Sequence, residues 1–163
     1  MEPIFQQDFP VQELCVDRYG RLKPSTLLYF AQEIAGRHCD ELADTLESHR
    51  LFWAVTRHRV QINRLPERGE TVRIETWPLP TTRVAYPRSM VIYDQAGNEC
   101  SRSISLWVLM DRDTRNMILP AASSFPVRFG ERNWRFPAVW FPERWNTAAS
   151  GTYALPTSTA TDI

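Results

Sequence analysis

The stretch PSTLLYFAQEIAGRHCDELADTL, residues 24–46, decides the fold because it is long and amphipathic. Its apolar side chains and one histidine recur at spacings of three and four residues: Leu27, Phe30, Ala31, Ile34, His38 and Leu42. This spacing places them on one face of an α-helix. Pro24 and Ser25 suit the first turn of such a helix. One long helix is therefore predicted from Pro24 to about Leu46.

The residues on both sides of this helix follow a period of two, which is typical of strands. One strand is predicted over residues 9–17, and four follow the helix over residues 52–64, 70–77, 83–93 and 99–111. The turns between those four are short, and parallel strands would need crossovers of a dozen residues or more. An α+β fold of the hotdog type is therefore predicted, with an antiparallel sheet wrapped around one long central helix.

Two details of the strands carry further predictions. Ile104, Leu106, Val108 and Met110 alternate in the last strand and supply one apolar face. Pro87 has no N–H to donate to a neighbouring strand. A bulge or an edge position is therefore predicted at Pro87.

The chain changes character after Pro120. Prolines 126, 137, 142 and 156 interrupt a stretch that is rich in phenylalanine and tryptophan. We expect a hotdog domain over residues 1–120 and a proline- and aromatic-rich linker over residues 121–163. The aromatic side chains need burial, so the linker should pack against the sheet or against a neighbouring domain or subunit.

The composition excludes several classes of protein. The chain lacks a signal sequence and an apolar run of membrane-spanning length, so we expect it in the cytoplasm, with no membrane partner. Its three cysteines lack CxxC spacing, which argues against disulfides and zinc. Its 19 basic residues balance 19 acidic ones, so no nucleic-acid partner is expected.

Three stretches carry a resemblance to a known family: VDRYGRLKPSTLLYFAQEIAGRH (residues 16–38), VTRHRVQINRLPERGETVRIETWP (55–78) and SLWVLMDRDTRN (105–116). In order and spacing they resemble the first hotdog domain of bacterial and plant acyl-ACP thioesterases. The resemblance implies a hydrolase of fatty acid biosynthesis that releases a free fatty acid from acyl carrier protein without metal or cofactor. It implies acyl-phosphopantetheine on the carrier as the substrate, and a homodimer or a pairing with a second hotdog domain.

The last residues of the chain bear on whether it can catalyse this reaction alone. In the family, a linker leads to a second hotdog that holds the catalytic Asp, Asn and His, and Thr161-Asp162-Ile163 resembles its first residues. The resemblance then places the chain end one residue before the catalytic aspartate. Two functions stay open: a thioesterase that is inactive without a second hotdog, and a non-catalytic module that binds acyl thioesters or dimerises. Hydratase chemistry is disfavoured because its Asp-His signature is absent near the helix start.

Three residues are candidates for catalysis, each with a structural alternative. Asp17 stands where single-domain hotdog thioesterases carry a catalytic aspartate, but it could instead accept backbone N–H groups before the helix. Glu33 could supply a second carboxylate or be solvated. His38 could be catalytic or a core histidine, because it shares the apolar stripe.

Further residues are candidates for substrate binding. The helix start would place Ser25 and Thr26 near the thioester carbonyl, where free N–H groups can stabilise an oxyanion. Phe30, Trp53, Trp77 and Trp107 would line an acyl groove or belong to the core. Gly36 costs about 1 kcal/mol in a helix relative to alanine, which indicates close contact with a strand or room for an acyl chain.

Four arginines are candidates for contact with the carrier protein: Arg57, Arg59, Arg83 and Arg88. Guanidinium groups suit both an acidic protein surface and the pantetheine phosphate. The alternative is that these residues form a solvated strand face.

Overall fold

The structure is a computed structural model that describes residues 4–40 and 43–123. The predicted linker lies almost entirely outside these residues, as does the Thr161-Asp162-Ile163 motif. No helix within the described ranges is long and apolar enough to cross a membrane.

The described residues contain six strands and two α-helices. In chain order they are β1 Phe5–Pro10, α1 Pro24–His38, α2 Ala43–Ser48, β2 Leu51–Ile62, β3 Thr71–Pro78, β4 Tyr86–Tyr93, β5 Glu99–Asp111 and β6 Met117–Ile118. Short 3-10 helices lie at Glu13–Cys15 and Pro120–Ala122. The strands pair antiparallel in the order β1-β3-β4-β5-β2, and β6 pairs with β5. This arrangement, with α1 against one face, confirms the predicted hotdog fold.

Helix α1 packs its apolar stripe onto the sheet. Leu27 and Ile34 are almost fully buried, and the Phe30 ring lies 4.9 Å from that of Phe9 on β1. Ile34 shares a core cluster with Ile74 and other helix-facing residues of the sheet. Burying a side chain of this size contributes about 1.5–3 kcal/mol, so these contacts fix the helix on the sheet.

The helix ends at His38, eight residues earlier than predicted. Arg37 occupies its last turn, where its positive charge complements the helix dipole. The Cys39 N–H then donates to the carbonyls of Ala35 and Gly36 and closes the helix. A separate short helix, α2, begins at Ala43.

The first strand also differs from the prediction. β1 covers Phe5–Pro10 rather than residues 9–17, and the 3-10 helix Glu13–Cys15 follows it. Phe9 and Val11 both enter the core two residues apart, but β1 ends at Pro10 between them, and Val16 reaches the core after the 3-10 helix. The predicted strand therefore started too late and ran on past the point where the extended backbone ends.

Pro87 lies in a central strand, which corrects the prediction of a bulge or an edge. β4 runs between β3 and β5, and Pro87 pairs in regular register with Leu106. The β3 ladder ends one residue away, at the pair Pro78 and Arg88. The proline is tolerated because it sits beyond that ladder, where its carbonyl accepts the Leu79 N–H at 2.9 Å.

The face of β5 that meets the helix is lined by serines, not by the apolar set. Ser103 pairs with Met90, a member of the core cluster beneath α1, and paired residues share a face. Ser101, Ser103 and Ser105 therefore face the helix, whereas Ile104, Leu106 and Val108 lie on the opposite face. Both sets are buried, at 8% exposure or less.

Candidate functional site

A cavity of about 350 Å³ lies between α1 and the helix-facing side of the sheet. Its lining residues come from the C-terminal half of the helix and from four strands or their ends: Gln32, Ala35, Gly36, Cys39, Trp53, Val55, Pro78, Leu79, Tyr86, Pro87, Arg88 and Trp107. Gln32 and Gly36 are exposed, which places them at the mouth.

Small helix residues and large strand residues shape this cavity. Ala35 and Gly36 leave space on the helix side, and a Cβ added at Gly36 would meet no atom within 4 Å. On the sheet side, Trp53 and Tyr86 pack edge to face with their ring centroids 4.8 Å apart. The Trp107 indole N–H donates to the Ser105 hydroxyl at 2.8 Å, which fixes the third large ring. These rings give the cavity rigid apolar walls.

One charged side chain interrupts the apolar wall. Arg88 is 9% exposed, and its Nη1 donates to Nδ1 of His38 at 2.9 Å. Its Nη2 lies 3.5 Å from the Cys39 sulfur. Burial lowers the pKa of Arg88, but an arginine stays charged in a protein. The cavity therefore combines apolar walls with one buried positive charge.

The residues around the cavity suit binding better than bond breaking. Burial raises the pKa of the Cys39 thiol, which disfavours the reactive thiolate. Across residues 4–40 and 43–123, no group of three or more His, Cys, Asp or Glu side chains could hold a metal ion. What the arrangement can do is enclose an alkyl chain.

Asp17 makes the hydrogen bonds to backbone N–H groups that were the alternative to catalysis. Its Oδ1 accepts the backbone N–H groups of Tyr19 at 2.8 Å and Arg21 at 3.0 Å. The Arg21 N–H is the main reason that the pKa of Asp17 lies below its ordinary value. A carboxylate with a lowered pKa is a weaker base, and Asp17 does not line the cavity.

Glu33 and His38 also lie apart from the cavity wall. Glu33 accepts from Nε and Nη2 of Arg37 at 3.0 and 2.7 Å, one helical turn away on the surface. His38 is 3% exposed, and Phe5 stacks on it with the ring centroids 5.4 Å apart. The structure thus places Asp17, Glu33 and His38 in three different environments and does not bring them together.

Of the seven residues expected to bind substrate, Gly36, Trp53 and Trp107 line the cavity. Ser25 is exposed, and the Thr26 hydroxyl donates to the Cys15 carbonyl at 3.1 Å. Both lie at the helix start, eleven positions before Gly36, and this separation corresponds to roughly 16 Å along the helix.

Phe30 and Trp77 belong to the packed interior instead. Phe30 contacts Phe9 in the core beneath α1. Trp77 is 0% exposed and pairs with Ser89 on the sheet face opposite the helix. Neither side chain lines the cavity, so their expected contact with an acyl chain does not fit the structure.

The four arginines occupy three different positions. Arg57 and Arg59 are exposed and pair with Leu106 and Ile104, which places them on the sheet face opposite the cavity. Arg83 is exposed in the turn between Leu79 and Tyr86, next to the cavity. Arg88 is buried in the cavity wall, whereas contact with the surface of a carrier protein would need an exposed side chain.

Sequence reasoning missed Val55, Leu79, Tyr86 and Cys39 as lining residues. Val55 could have been found, because it follows Trp53 by two residues in the same strand and so shares its face. Tyr86 could not, because it alternates with Arg88, which was expected at the surface.

The chain is similar in sequence to known proteins. A family model described as the acyl-ACP thioesterase N-terminal domain matches residues 2–120. The palmitoyl-acyl carrier protein thioesterase of Cuphea hookeriana is 30% identical over 126 residues, which cover 70% of this chain and 30% of that protein. An oleoyl-acyl carrier protein thioesterase of Coriandrum sativum is 30% identical over 102 residues, covering 56% of this chain and 28% of that protein. The chain therefore spans about 30% of the length of these curated relatives.

Solved structures show the same fold. An acyl-ACP thioesterase from Bacteroides thetaiotaomicron superposes with a TM-score of 0.70 at 23% identity, over 79% of this chain and 54% of that one. The 12:0-ACP thioesterase from Umbellularia californica gives a TM-score of 0.64 at 23% identity, over 71% of this chain and 46% of that one.

Proposed function

The chain belongs to the acyl-ACP thioesterase family, and we propose that it encloses the acyl chain of an acyl-ACP thioester while that thioester is hydrolysed. The observation that carries the proposal is the cavity between α1 and the sheet. Its volume of about 350 Å³ is within the usual range for small-molecule sites, which are mostly apolar with a few polar groups. Each methylene buried there contributes about 0.8 kcal/mol, so a chain of eight methylenes would contribute about 6 kcal/mol before the costs of binding.

Hydrolysis needs groups that this cavity does not supply. Water must add to the acyl carbon, the carbon–sulfur bond must break, and the phosphopantetheine thiol must leave with a proton. A base has to take the water proton, and N–H donors have to stabilise the oxyanion. Because Asp17, Glu33 and His38 do not converge, we assign water activation to a second hotdog, either a domain or another copy of this chain.

Strand β2 supports such a pairing. It is twelve residues long and terminates the order β1-β3-β4-β5-β2, so one of its edges carries no partner strand within the described sheet. An edge of this length without a partner strand in the described sheet favours pairing with another sheet.

We propose that the protein is located in the cytoplasm, whereas the Cuphea hookeriana relative is described as chloroplastic.

Arg83 is the proposed carrier contact. It is exposed in the turn that joins two parts of the cavity wall, Leu79 and Tyr86. Arg57 and Arg59 lie on the other face, where a carrier could not deliver an acyl chain directly to the mouth. Arg83→Glu should therefore weaken the binding of decanoyl-ACP at least about tenfold and leave the binding of decanoyl-pantetheine unchanged. Arg59→Glu is the matched control, and an equal effect of both variants would contradict this assignment.

The experiment for the proposed function compares decanoyl-ACP with holo-ACP, which carries the same phosphopantetheine without an acyl chain. Calorimetry measures binding, and a thiol reagent measures hydrolysis. We expect decanoyl-ACP to bind more tightly than holo-ACP, whether or not this chain alone releases the thiol. Equal binding of the two carriers would show that no acyl chain is enclosed and would contradict the proposal.

A further inference from the structure

Arg88 is a buried cation, and in the described part of the chain none of its hydrogen-bond acceptors is a carboxylate. Among residues 4–40 and 43–123 its hydrogen-bond acceptors are Nδ1 of His38, the Thr76 hydroxyl and the Cys39 sulfur. None of these three groups is negatively charged while the Cys39 thiol keeps its proton. A buried charge without a counter-ion is costly, so its presence in a cavity wall needs an explanation.

The Nε and Nη2 nitrogens of Arg88 form an edge that can bind a carboxylate through two parallel hydrogen bonds. Arg88 Nε–H has no acceptor in the described part of the chain, and Nη2 meets only the Cys39 sulfur at 3.5 Å. Elsewhere in the molecule this same Nε and Nη2 edge binds a carboxylate. Arg50 donates from Nε and Nη2 to Asp113 at 2.6 Å each, and Arg37 uses the same two nitrogens on Glu33.

The orientation of this edge is held by the other contacts. Nη1 of Arg88 is anchored to His38, whose ring is packed under Phe5. Helix α1 ends at His38, beside Arg88, and the partial negative charge of its C-terminal carbonyls offsets part of the cost of burying the guanidinium. Arg88 is therefore preorganised, and a carboxylate that reached it would lose little in ordering the protein.

From these observations we infer that the cavity is also a site for a free fatty acid, with its carboxylate on the Nε and Nη2 edge of Arg88 and its alkyl chain along Trp53, Tyr86 and Trp107. A fatty acid matches both features of the cavity, since it joins one carboxylate to one alkyl chain. The inference rests on the proposed function in one respect: both require that the cavity binds an alkyl chain. It adds a second occupant, the free acid, which would compete with an acyl thioester.

The test uses the whole chain and two probes of equal length, decanoate and 1-decanol. Wild-type protein should bind decanoate at least about tenfold more tightly than 1-decanol, because hydrogen bonds to charged groups are the strong ones. Arg88→Met introduces an uncharged side chain of similar length and should remove this preference. The affinity for decanoate should fall about tenfold, and the affinity for 1-decanol should change less than about threefold. Arg88→Lys keeps the positive charge but lacks the two parallel N–H donors of the guanidinium. Its preference for decanoate over 1-decanol should therefore be intermediate.

Controls separate this inference from the proposed function and from a structural role of Arg88. Arg18→Met changes an exposed arginine far from the cavity lining and should bind both probes like the wild type. If Arg88→Met does not fold, the wild-type comparison of the two probes decides alone. Equal binding of decanoate and 1-decanol by the wild type overturns the carboxylate site but leaves the alkyl site standing. Binding of neither probe overturns both.

Discussion

Asp17 holds the turn that leads into α1, and its carboxylate works as a hydrogen-bond acceptor there. Asp17→Ala should lower the melting temperature, because the N–H groups of Tyr19 and Arg21 lose their acceptor. Asp17→Asn should lower it less, since its amide oxygen can still accept. Asp8→Ala, at an exposed position in β1, is the control and should have no effect. If Asp17→Asn kept its melting temperature but abolished hydrolysis of acyl-ACP, Asp17 would be the catalytic base after all.

Glu70 links two turns of the sheet through Arg64 and gives a prediction on pH. Arg64 donates to both oxygens of Glu70 at 2.8 and 2.9 Å, and this pairing is the main reason that the pKa of Glu70 lies below its ordinary value. A lowered folded-state pKa means that the stabilisation is complete above the unfolded value, about 4.3, and is lost as the pH falls through the folded value.

Glu70→Gln should therefore lower the free energy of unfolding at pH 7 by up to about 1 kcal/mol, the upper range for a partly exposed pair. The difference from the wild type should shrink as the pH falls below about 4, as urea titrations at several pH values would show. Glu67→Gln, in the same turn, is the matched control. A deficit in Glu70→Gln that stayed constant down to acid pH would rule out the ion pair as its cause.

At the scale of elements, Gly36 connects the stability of α1 to the space beside it. The prediction of close contact with a strand is wrong, because a Cβ at this position would meet no atom within 4 Å. Gly36→Ala should therefore raise the free energy of unfolding by up to about 1 kcal/mol, the difference in helix propensity. Thermal or urea unfolding measures this directly.

Gly36→Leu should also stabilise the helix, yet it would place a large side chain at the mouth of the cavity. We expect it to weaken the binding of decanoyl-pantetheine at least about tenfold, while Gly36→Ala binds nearly as the wild type. Unchanged binding by Gly36→Leu would mean that the acyl chain enters elsewhere.

Most elements could be predicted from the sequence because their periods are strong. The stripe from Leu27 to Ile34 predicted α1, and short turns predicted the antiparallel meander. The end of α1 at His38 could not be predicted, because Leu42 continues the same apolar spacing. The position of Pro87 in a central strand could not be predicted for another reason. Pro87 lies just beyond the last pair between β3 and β4, and where that pairing ends depends on the register, which the sequence of one strand does not reveal.

The candidate site was less predictable because it is built from many distant elements. Trp53, Trp107 and Gly36 could be picked out as unusual residues, but whether Trp77 shared their face depended on the pairing of β3 with β4. Arg88 was expected at the surface, since a charged residue is rarely buried without a partner. Its burial beside His38 and Cys39 follows from packing between a helix and a sheet that no local pattern reports.

At the scale of the whole molecule, the two faces of the sheet have different roles. The serines of β5 face the helix and leave room beside it, whereas the bulky residues Ile104, Leu106 and Val108 lie on the opposite face. The cavity with its three aromatic rings lies on the first face. This division leaves room for a cavity beside α1 in a domain that is otherwise tightly packed.

The central claim is that the acyl chain lies in the cavity between α1 and the sheet. It is tested most directly with acyl-ACP whose chain ends in a diazirine, which is photolysed in complex with the protein and mapped by mass spectrometry. The account predicts labels near the cavity wall, in peptides that contain Gly36, Trp53, Tyr86 or Trp107. Labels confined to Arg57, Arg59 and other residues of the opposite sheet face, or to the start of α1 at Ser25, would contradict it.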